Sequence, residues 1–340
     1  MTDTVLLTGI SGFLGGHVAM ALLQAGFNLR GTVRSKGKAE KVRDTLGRHG
    51  ADISRLQIVE LDLTRDEGWR EAASGCRYLQ HVASPFVTSM PKDKDELIRP
   101  AVEGTARAVN FALASDVERI VLTSSAVAVY YGHPKSRTAP FTEADWTVLG
   151  RPGVTAYTES KTLAERKAWE LAEAAGRRKD LAAINPGFMF GPLLDDDPGT
   201  SGAIIQRLLN GSFRAAPKIA MPIADVRDVA AVHLAAMKSP EAGGRRYLVA
   251  ADTLTIKQIS DELRAVFPGH RSKLPRFEAP NWVVRLLAPF DPDIRDNIEE
   301  LGLFRRLEST SVGQLLGRDL TTARRAAADM AHSLVAQGLA

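Results

Sequence analysis

Cysteine is almost missing from this sequence. The 340 residues hold one, Cys76, so no internal disulfide can form, and the chain suits a reducing, cytoplasmic setting. Long apolar runs are missing too, since none approaches the roughly 18 residues that cross a bilayer. Neither charge sign dominates: 44 Lys and Arg stand against 40 Asp and Glu, a net charge of +4. The pI near 9.2 reflects that small excess and comes with no basic tail of the kind that marks nucleic-acid binders. The seven histidines are scattered, and no His/Cys/Asp group has metal-ligand spacing. No Gly-x-Ser-x-Gly elbow points to a hydrolase. No leader is expected either, because an apolar strand starts at Thr4 and a glycine motif at Thr8. The sequon Asn210-Gly211-Ser212 is then an accident of sequence.

What remains is an ordinary globular balance, 44% apolar and 25% charged. A chain of this length makes one large domain, or one large and one small, and buries roughly three quarters of its unfolded surface. The first half alternates strand and helix. Val5-Leu6-Leu7 is a short apolar run ending in a glycine turn, and residues 13–26 put Leu14, Val18, Ala21, Leu22 and Ala25 on one helical face. Strands are expected at 28–33, 56–61, 78–83, 120–122 and 181–184, and helices at 36–47, 93–114 and 154–175. Thr64 and Glu67 have the spacing of a capping box, which predicts a helix start there. Strands separated by helices imply an α/β fold, a Rossmann-type doubly wound parallel sheet covered on both faces.

The pattern changes after Asn185-Pro186-Gly187. Residues 192–202 read as a loop, 203–210 and 225–238 as helices, and 246–249 as a strand. Thr255 and Gln258 form a second capping box, opening a helix to Phe267. The rest reads as mostly helical. The expected organisation is a nucleotide domain of residues 1–185 plus about 225–250. A smaller, mostly helical substrate domain takes 186–224 and 251–340.

Thr8-Gly9-Ile10-Ser11-Gly12-Phe13-Leu14-Gly15 lies between the first strand and the first helix. Glycines there make a tight turn and let the backbone approach a pyrophosphate, which sits at the positive end of the helix. In that context the G-x-x-G-x-x-G spacing predicts a dinucleotide. The second strand ends at Arg34, where an NAD-binding domain usually places an acidic residue for the ribose hydroxyls. An arginine fork suits a 2′-phosphate instead, which predicts NADPH/NADP. Lys36 and Lys38 read equally well as a solvated helix face. Asp62, followed by Leu63, is open to two roles: acceptor for the adenine amino group, or helix cap. Val82-Ala83-Ser84 ends the fourth strand at the carboxyl edge, where ligands sit in such sheets.

Tyr157-Thr158-Glu159-Ser160-Lys161 places a phenol and an ammonium on one helix face. Reducing a carbonyl needs a proton donor as hydride arrives. A free tyrosine has a pKa near 10, and a nearby lysine favours the phenolate and lowers it. Thr123-Ser124-Ser125 ends the fifth strand on the same sheet edge, where a serine can bond the substrate oxygen. Glycine turn, strand-end serine and Tyr-x-x-x-Lys in that order predict an oxidoreductase.

These segments, with His81-Val-Ala-Ser-Pro-Phe86, Ile184-Asn-Pro-Gly187 and Asp225-Val-Arg-Asp-Val229, resemble the extended short-chain dehydrogenases/reductases. Within them the chain is similar to the dihydroflavonol 4-reductase-like branch, which includes microbial aldehyde and ketone reductases. The resemblance implies that Ser125 and Tyr157 are catalytic, Tyr157 as proton donor with Lys161 as its partner. It implies that Arg34 and Lys41 grip the 2′-phosphate, that Pro186 and Gly187 lie beside the nicotinamide, and that Ser201 touches the cofactor. The cofactor set is then Thr8, Gly9, Gly12, Phe13, Leu14, Gly15, Arg34, Lys41, Asp62, Leu63, Val82, Ala83, Ser84, Thr123, Tyr157, Lys161, Pro186, Gly187 and Ser201. Phe86, Ser125, Tyr130 and Phe188 are placed against a small carbonyl substrate. Flavonoid reductases carry asparagine where Tyr130 stands, and Ala101 takes the place of the asparagine that often completes the short-chain catalytic set.

The expected partners are a small carbonyl compound and either no second subunit or one identical copy, with no nucleic acid, membrane or metal. A rival reading is an NAD(P)-dependent sugar-nucleotide epimerase or dehydratase. Those need extra acid–base groups beside the serine, and Val127 offers none. A non-catalytic NADPH-binding protein would usually lose Tyr157 or Lys161.

Overall fold

The structure is a computed structural model that describes residues 3–84, 93–290, 294–295 and 297–340. In chain order its strands are β1 (Thr4–Thr8), β2 (Asn28–Val33), β3 (Leu56–Glu60), β4 (Tyr78–His81), β5 (Arg119–Thr123), β6 (Leu181–Pro186), β7 (Phe188–Phe190), β8 (Ala220–Asp225), β9 (Arg246–Val249) and β10 (Asp252–Thr255). Seven of them form one sheet, in the order β3-β2-β1-β4-β5-β6-β9, and every pairing in it is parallel.

Alternation along these strands explains the two covering layers. Val5 and Leu7 of β1, Val121 of β5, and Ala182 and Ile184 of β6 join one core. There they meet α1 (Phe13–Gln24), α2 (Gly37–Arg48) and α8 (Val226–Lys238). Leu6, Ile120, Leu122, Leu181 and Ala183 point the other way. They pack under α3 (Trp69–Ala73), α4 (Asp95–Leu113) and α6 (Ala156–Ala174), with Trp69 and Trp169 as the large fillers. The strand order reverses between β1 and β4, so the crevice beyond their carboxyl ends is the ligand site this topology provides.

The second half holds more strand than its sequence pattern shows. β10, β8 and β7 form a three-stranded sheet, β8 running antiparallel to β10 and parallel to β7. Its central strand carries Pro222, a residue that argues against a central strand when read locally. One face buries Phe190, Ile223 and Leu254 against α7 (Gly199–Leu209), α9 (Ile256–Val266) and the C-terminal helix Ala323–Ala336. α7 begins at Gly199, inside the stretch expected to be loop.

The two capping predictions part company. Thr255 and Gln258 form a complete capping box on α9. Thr64 and Glu67 do not start a helix: α3 begins at Trp69, after Gly68 in the left-handed region with φ of 83°. The Asp62 carboxylate takes the Thr64 amide and hydroxyl instead, each at 2.8 Å. Among the described residues no helix is long and apolar enough to cross a membrane.

Candidate active site

The glycine turn is shaped by backbone contact. Gly9 has a φ of 76°, and a Cβ on it would lie 2.8 Å from Ala83 Cα. A Cβ on Gly15 would lie 1.9 Å from the Gly9 carbonyl oxygen, so helix α1 can start this close to β1 only with glycine there. Gly12 is different. A Cβ on it would meet only the Gly9 oxygen, at 3.5 Å, so its outer side is open. Gly12 is also the N-cap of α1 and offers no side-chain cap, which leaves first-turn N–H groups pointing outward for an anion. This is a cradle that fits a dinucleotide pyrophosphate.

Neighbouring residues divide into those that face the crevice and those that hold it. Thr8 is fully buried. Its hydroxyl pairs with His81 Nδ1 at 2.8 Å and accepts from the Ala83 amide at 3.1 Å, joining the β1 and β4 ends from within. Thr123 Oγ1 lies 3.0 Å from His233 Nε2, and His233 Nδ1 lies 2.7 Å from Gln80 Oε1. Both threonines are therefore occupied behind the crevice. Leu14 is core, and Phe13 packs between the two cores with its ring edge-on to His17 at 5.5 Å. Val82, Ala83 and Ser84 are half-buried at the β4 end. Gly187 lacks a side chain because Pro222 O would be 2.3 Å from its Cβ, and Pro186 O accepts from the Ala126 amide at 2.9 Å.

Arg34 is exposed at the end of β2, as a residue awaiting an external anion would be. It and Arg65 help hold Asp62 below the usual carboxylate range, after the larger effect of the Thr64 hydrogen bonds. Leu63 is half-buried beside it. Lys41 is exposed on α2. Its ammonium pairs with Asp196 and, at 3.6 Å, with Asp195, which raises its pKa. His17 Nε2 and His49 Nε2 contact the carbonyls of Pro192 and Leu194 at 2.9 and 3.0 Å, so the 192–196 segment is fastened across α1 and α2. Ser201 sits in the first turn of α7, half-buried.

Ser125 lies two residues past the end of β5, and Tyr157 lies in the first turn of α6, whose N-cap Thr155 accepts from the Thr158 amide. The Ser125 side chain and the Tyr157 phenol interact across the crevice edge, and Ser125 Oγ accepts from the Val127 amide at 3.3 Å. Lys161 Nζ is 5.9 Å from the Tyr157 ring centroid. Burial pushes the phenol above its usual range, and Ser125 opposes that rise. Burial also brings the Lys161 ammonium down to about 8. His81, across from Lys161, is held neutral by burial, with a pKa of about 3.

Beside Tyr130, which the sequence placed at this edge, the structure adds Arg305, which no sequence pattern suggested. Tyr130, at the end of α5 (Val127–Tyr130), is buried, and that burial raises its phenol well above the usual range. The Arg305 guanidinium lies 5.1 Å from the Tyr130 ring centroid and 4.7 Å from that of Tyr131, and it is ion-paired to Glu300. The Phe141 amide donates to Arg306 O at 2.8 Å, the Thr253 hydroxyl to Arg305 O at 2.7 Å, and Lys135 pairs with Glu299 at 2.8 Å. These contacts fix the 299–306 segment beside α5. Phe188 packs against the small-sheet core, and Phe86 lies outside the described residues.

Comparison with known proteins agrees with this arrangement. Residues 5–250 match the model of the NAD dependent epimerase/dehydratase family. The ketoreductase azaE of Aspergillus niger is 32% identical over 330 residues, covering 92% of this chain and 96% of the relative. Cinnamoyl-CoA reductase 1 of Petunia hybrida is 34% identical over 275 residues, covering 79% of this chain and 78% of the relative. The yeast methylglyoxal/isovaleraldehyde reductase Gre2, solved with NADPH, superposes with a TM-score of 0.80 at 25% identity, covering 99% of this chain and all of that one. The chain therefore belongs to the NAD dependent epimerase/dehydratase family and is an NAD(P)-dependent reductase of the extended short-chain type, in its dihydroflavonol 4-reductase-like branch.

Proposed function

We propose that the protein reduces an aldehyde or ketone to the alcohol with NADPH, Tyr157 giving the proton. The observation that carries this reading is the meeting of Ser125, just past β5, with Tyr157 in the first turn of α6 at the carboxyl edge of the sheet, Lys161 Nζ lying 5.9 Å from the Tyr157 ring centroid. Bound NADPH supplies a hydride. The chain's own groups handle the oxygen. Ser125 holds it by a hydrogen bond, Tyr157 transfers its phenolic proton to it as negative charge develops, and the Lys161 ammonium supports the phenolate left behind. Gly9, Gly12 and Gly15 form the pyrophosphate cradle, and exposed Arg34 suits the 2′-phosphate.

A ketoreductase among the relatives and an aldehyde reductase among the structural neighbours support a small carbonyl substrate. Tyr130 buried against Phe141 and Tyr131 gives the pocket an aromatic side. The test follows NADPH absorbance while purified protein meets a panel of aldehydes, ketones and keto-esters. Stoichiometric NADPH loss with alcohol formation is the expected outcome. Turnover of a sugar nucleotide without net NADPH loss would favour epimerisation instead.

A further inference from the structure

We propose that Glu165 is a positioning residue that sets the Tyr157 helix against the Ser125 strand end. This rests on the reading of Ser125 and Tyr157 given above. Tyr157, Lys161 and Glu165 follow one another at intervals of four on α6, so they share one stripe of the helix. Glu165 is at the buried end of that stripe, 1% exposed. One carboxylate oxygen accepts from Ser124 Oγ at 2.5 Å and from Asn185 Nδ2 at 2.7 Å. The other accepts from Arg246 Nε at 2.6 Å and Trp169 Nε1 at 3.2 Å.

Each donor comes from an element that builds the site. Ser124 precedes Ser125. Asn185 Nδ2 also donates to the Ser125 carbonyl at 3.1 Å, so one amide bridges Glu165 to the serine's own backbone. Arg246 comes from β9, stacks 3.7 Å from the Trp146 ring centroid, and donates from Nη1 to the carbonyls of Glu143 and Asp145. That loop leads to Thr147, whose hydroxyl donates to Val127 O at 2.6 Å and accepts from the Tyr131 amide at 3.1 Å. Glu165 thus joins α6, the end of β5, β6 and β9 through one carboxylate, and Arg246 carries the link on to the loop beside α5.

Packing alone does not explain such a group. A buried ion pair is often no more stabilising than apolar residues of the same volume. Among the described residues Asn185 Oδ1 is buried with no partner, a cost borne so that Nδ2 can face Ser125 and Glu165. The arrangement makes sense where relative placement matters more than stability. Its product is the register between the Ser125 hydroxyl and the Tyr157 phenol.

The test removes single links and leaves the Glu165–Arg246 pair intact. Ser124→Ala and Asn185→Ala are each expected to lower kcat about 10- to 100-fold, a scale typical of small misplacement at a reacting centre. KM and NADPH affinity, the latter read by nucleotide fluorescence, should stay within about threefold, and Tm should stay close to the parent's. Ser124→Thr keeps the hydroxyl and should restore most of the loss. The rate falls as pH rises through the phenol's pKa. Ser125 normally lowers that pKa, so a displaced serine should move this falling limb to higher pH. The other titratable groups facing Tyr157 are Lys161 on its own helix and Tyr130 on α5, with His81 beyond Lys161, and these substitutions touch none of them.

Unchanged kcat and an unmoved limb in both variants would overturn the proposal. So would a kcat loss that disappears once rates are normalised to the fraction of sites binding NADPH. Tyr157→Phe is run beside them. If that variant keeps full activity, the reading of the catalytic pair has failed, whatever the Ser124 and Asn185 variants do.

Discussion

On the nucleotide side of the cleft, backbone does the shaping. Gly9 and Gly15 touch neighbouring main chain so closely that no Cβ fits, and Gly12 leaves an open face over the start of α1. On the substrate side the shaping is done by side chains drawn from far apart in sequence. Glu165 meets Arg246, Tyr130 meets Arg305, and Asn185 meets Ser125. A backbone cradle depends on a few adjacent residues and recognises what every dinucleotide shares. A wall of distant side chains can change one residue at a time, which suits the part of a reductase that sets its substrate range.

The sharpest break between the two sides is expected at Tyr157. Tyr157→Phe removes one oxygen from the chemistry and nothing from the cradle. Turnover should fall by about 10²–10⁴-fold while NADPH titration by fluorescence stays close to the parent's. A variant with substantial turnover and an intact circular dichroism spectrum would show that another group gives the proton.

The cradle itself is tested by two glycines. At Gly15 the new Cβ would lie 1.9 Å from the Gly9 oxygen, whereas at Gly26, with a φ of 85°, nothing lies within 4 Å. Gly15→Ala should cost about 3 kcal/mol of stability through overpacking, and it should cost NADPH binding with it. Gly26→Ala should cost about 1 kcal/mol through backbone strain alone and leave binding intact. Urea titration with and without NADPH separates the two.

Arg34→Asp should weaken NADPH by roughly 10- to 100-fold, the scale of hydrogen bonds to a charged group, and NADH far less. Equal losses for both cofactors would place the 2′-phosphate elsewhere. Lys41 would be the next residue to examine, since it would have to leave Asp195 and Asp196 to reach it.

The smallest expected effect is one of stability. The Lys161 ammonium is brought down to about 8 by burial, below its unfolded value near 10.4. Between those values the unfolded chain holds more protons than the folded one, so this group makes stability rise with pH there. Below 8 the buried charge is a standing cost. Lys161→Met should therefore raise Tm by a few degrees at pH 7 while turnover falls, and the gain should shrink as pH rises from 8 toward 10. A lower Tm at pH 7 would mean that Lys161 has stabilising partners when charged.

The same contrast explains what could be read from the sequence. Alternating strands and helices, the glycine turn, the Thr255–Gln258 box and the Tyr157–Lys161 spacing are local patterns, and each has its counterpart in the structure. The Thr64–Glu67 pattern was local too but lost to Asp62, whose carboxylate caps Thr64 first. The three-stranded sheet was hidden because its strands are three to six residues long, lie up to 67 positions apart, and carry Pro222 in the middle. No local pattern in the sequence singles out Glu165 or Arg305. Only the fold brings Ser124, Asn185 and Arg246 to the first and the tyrosine pair to the second.

The most direct measurement is a single-turnover experiment with purified protein, NADPH and a simple aryl or alkyl ketone or aldehyde. It monitors the loss of nucleotide absorbance and the alcohol formed, for the parent and for Tyr157→Phe. The expected result is one alcohol per NADPH oxidised in the parent and loss of that step in the variant, with nucleotide still bound. An unchanged single-turnover rate in Tyr157→Phe, or no NADPH oxidation with any carbonyl compound alongside efficient turnover of a sugar nucleotide, would contradict it.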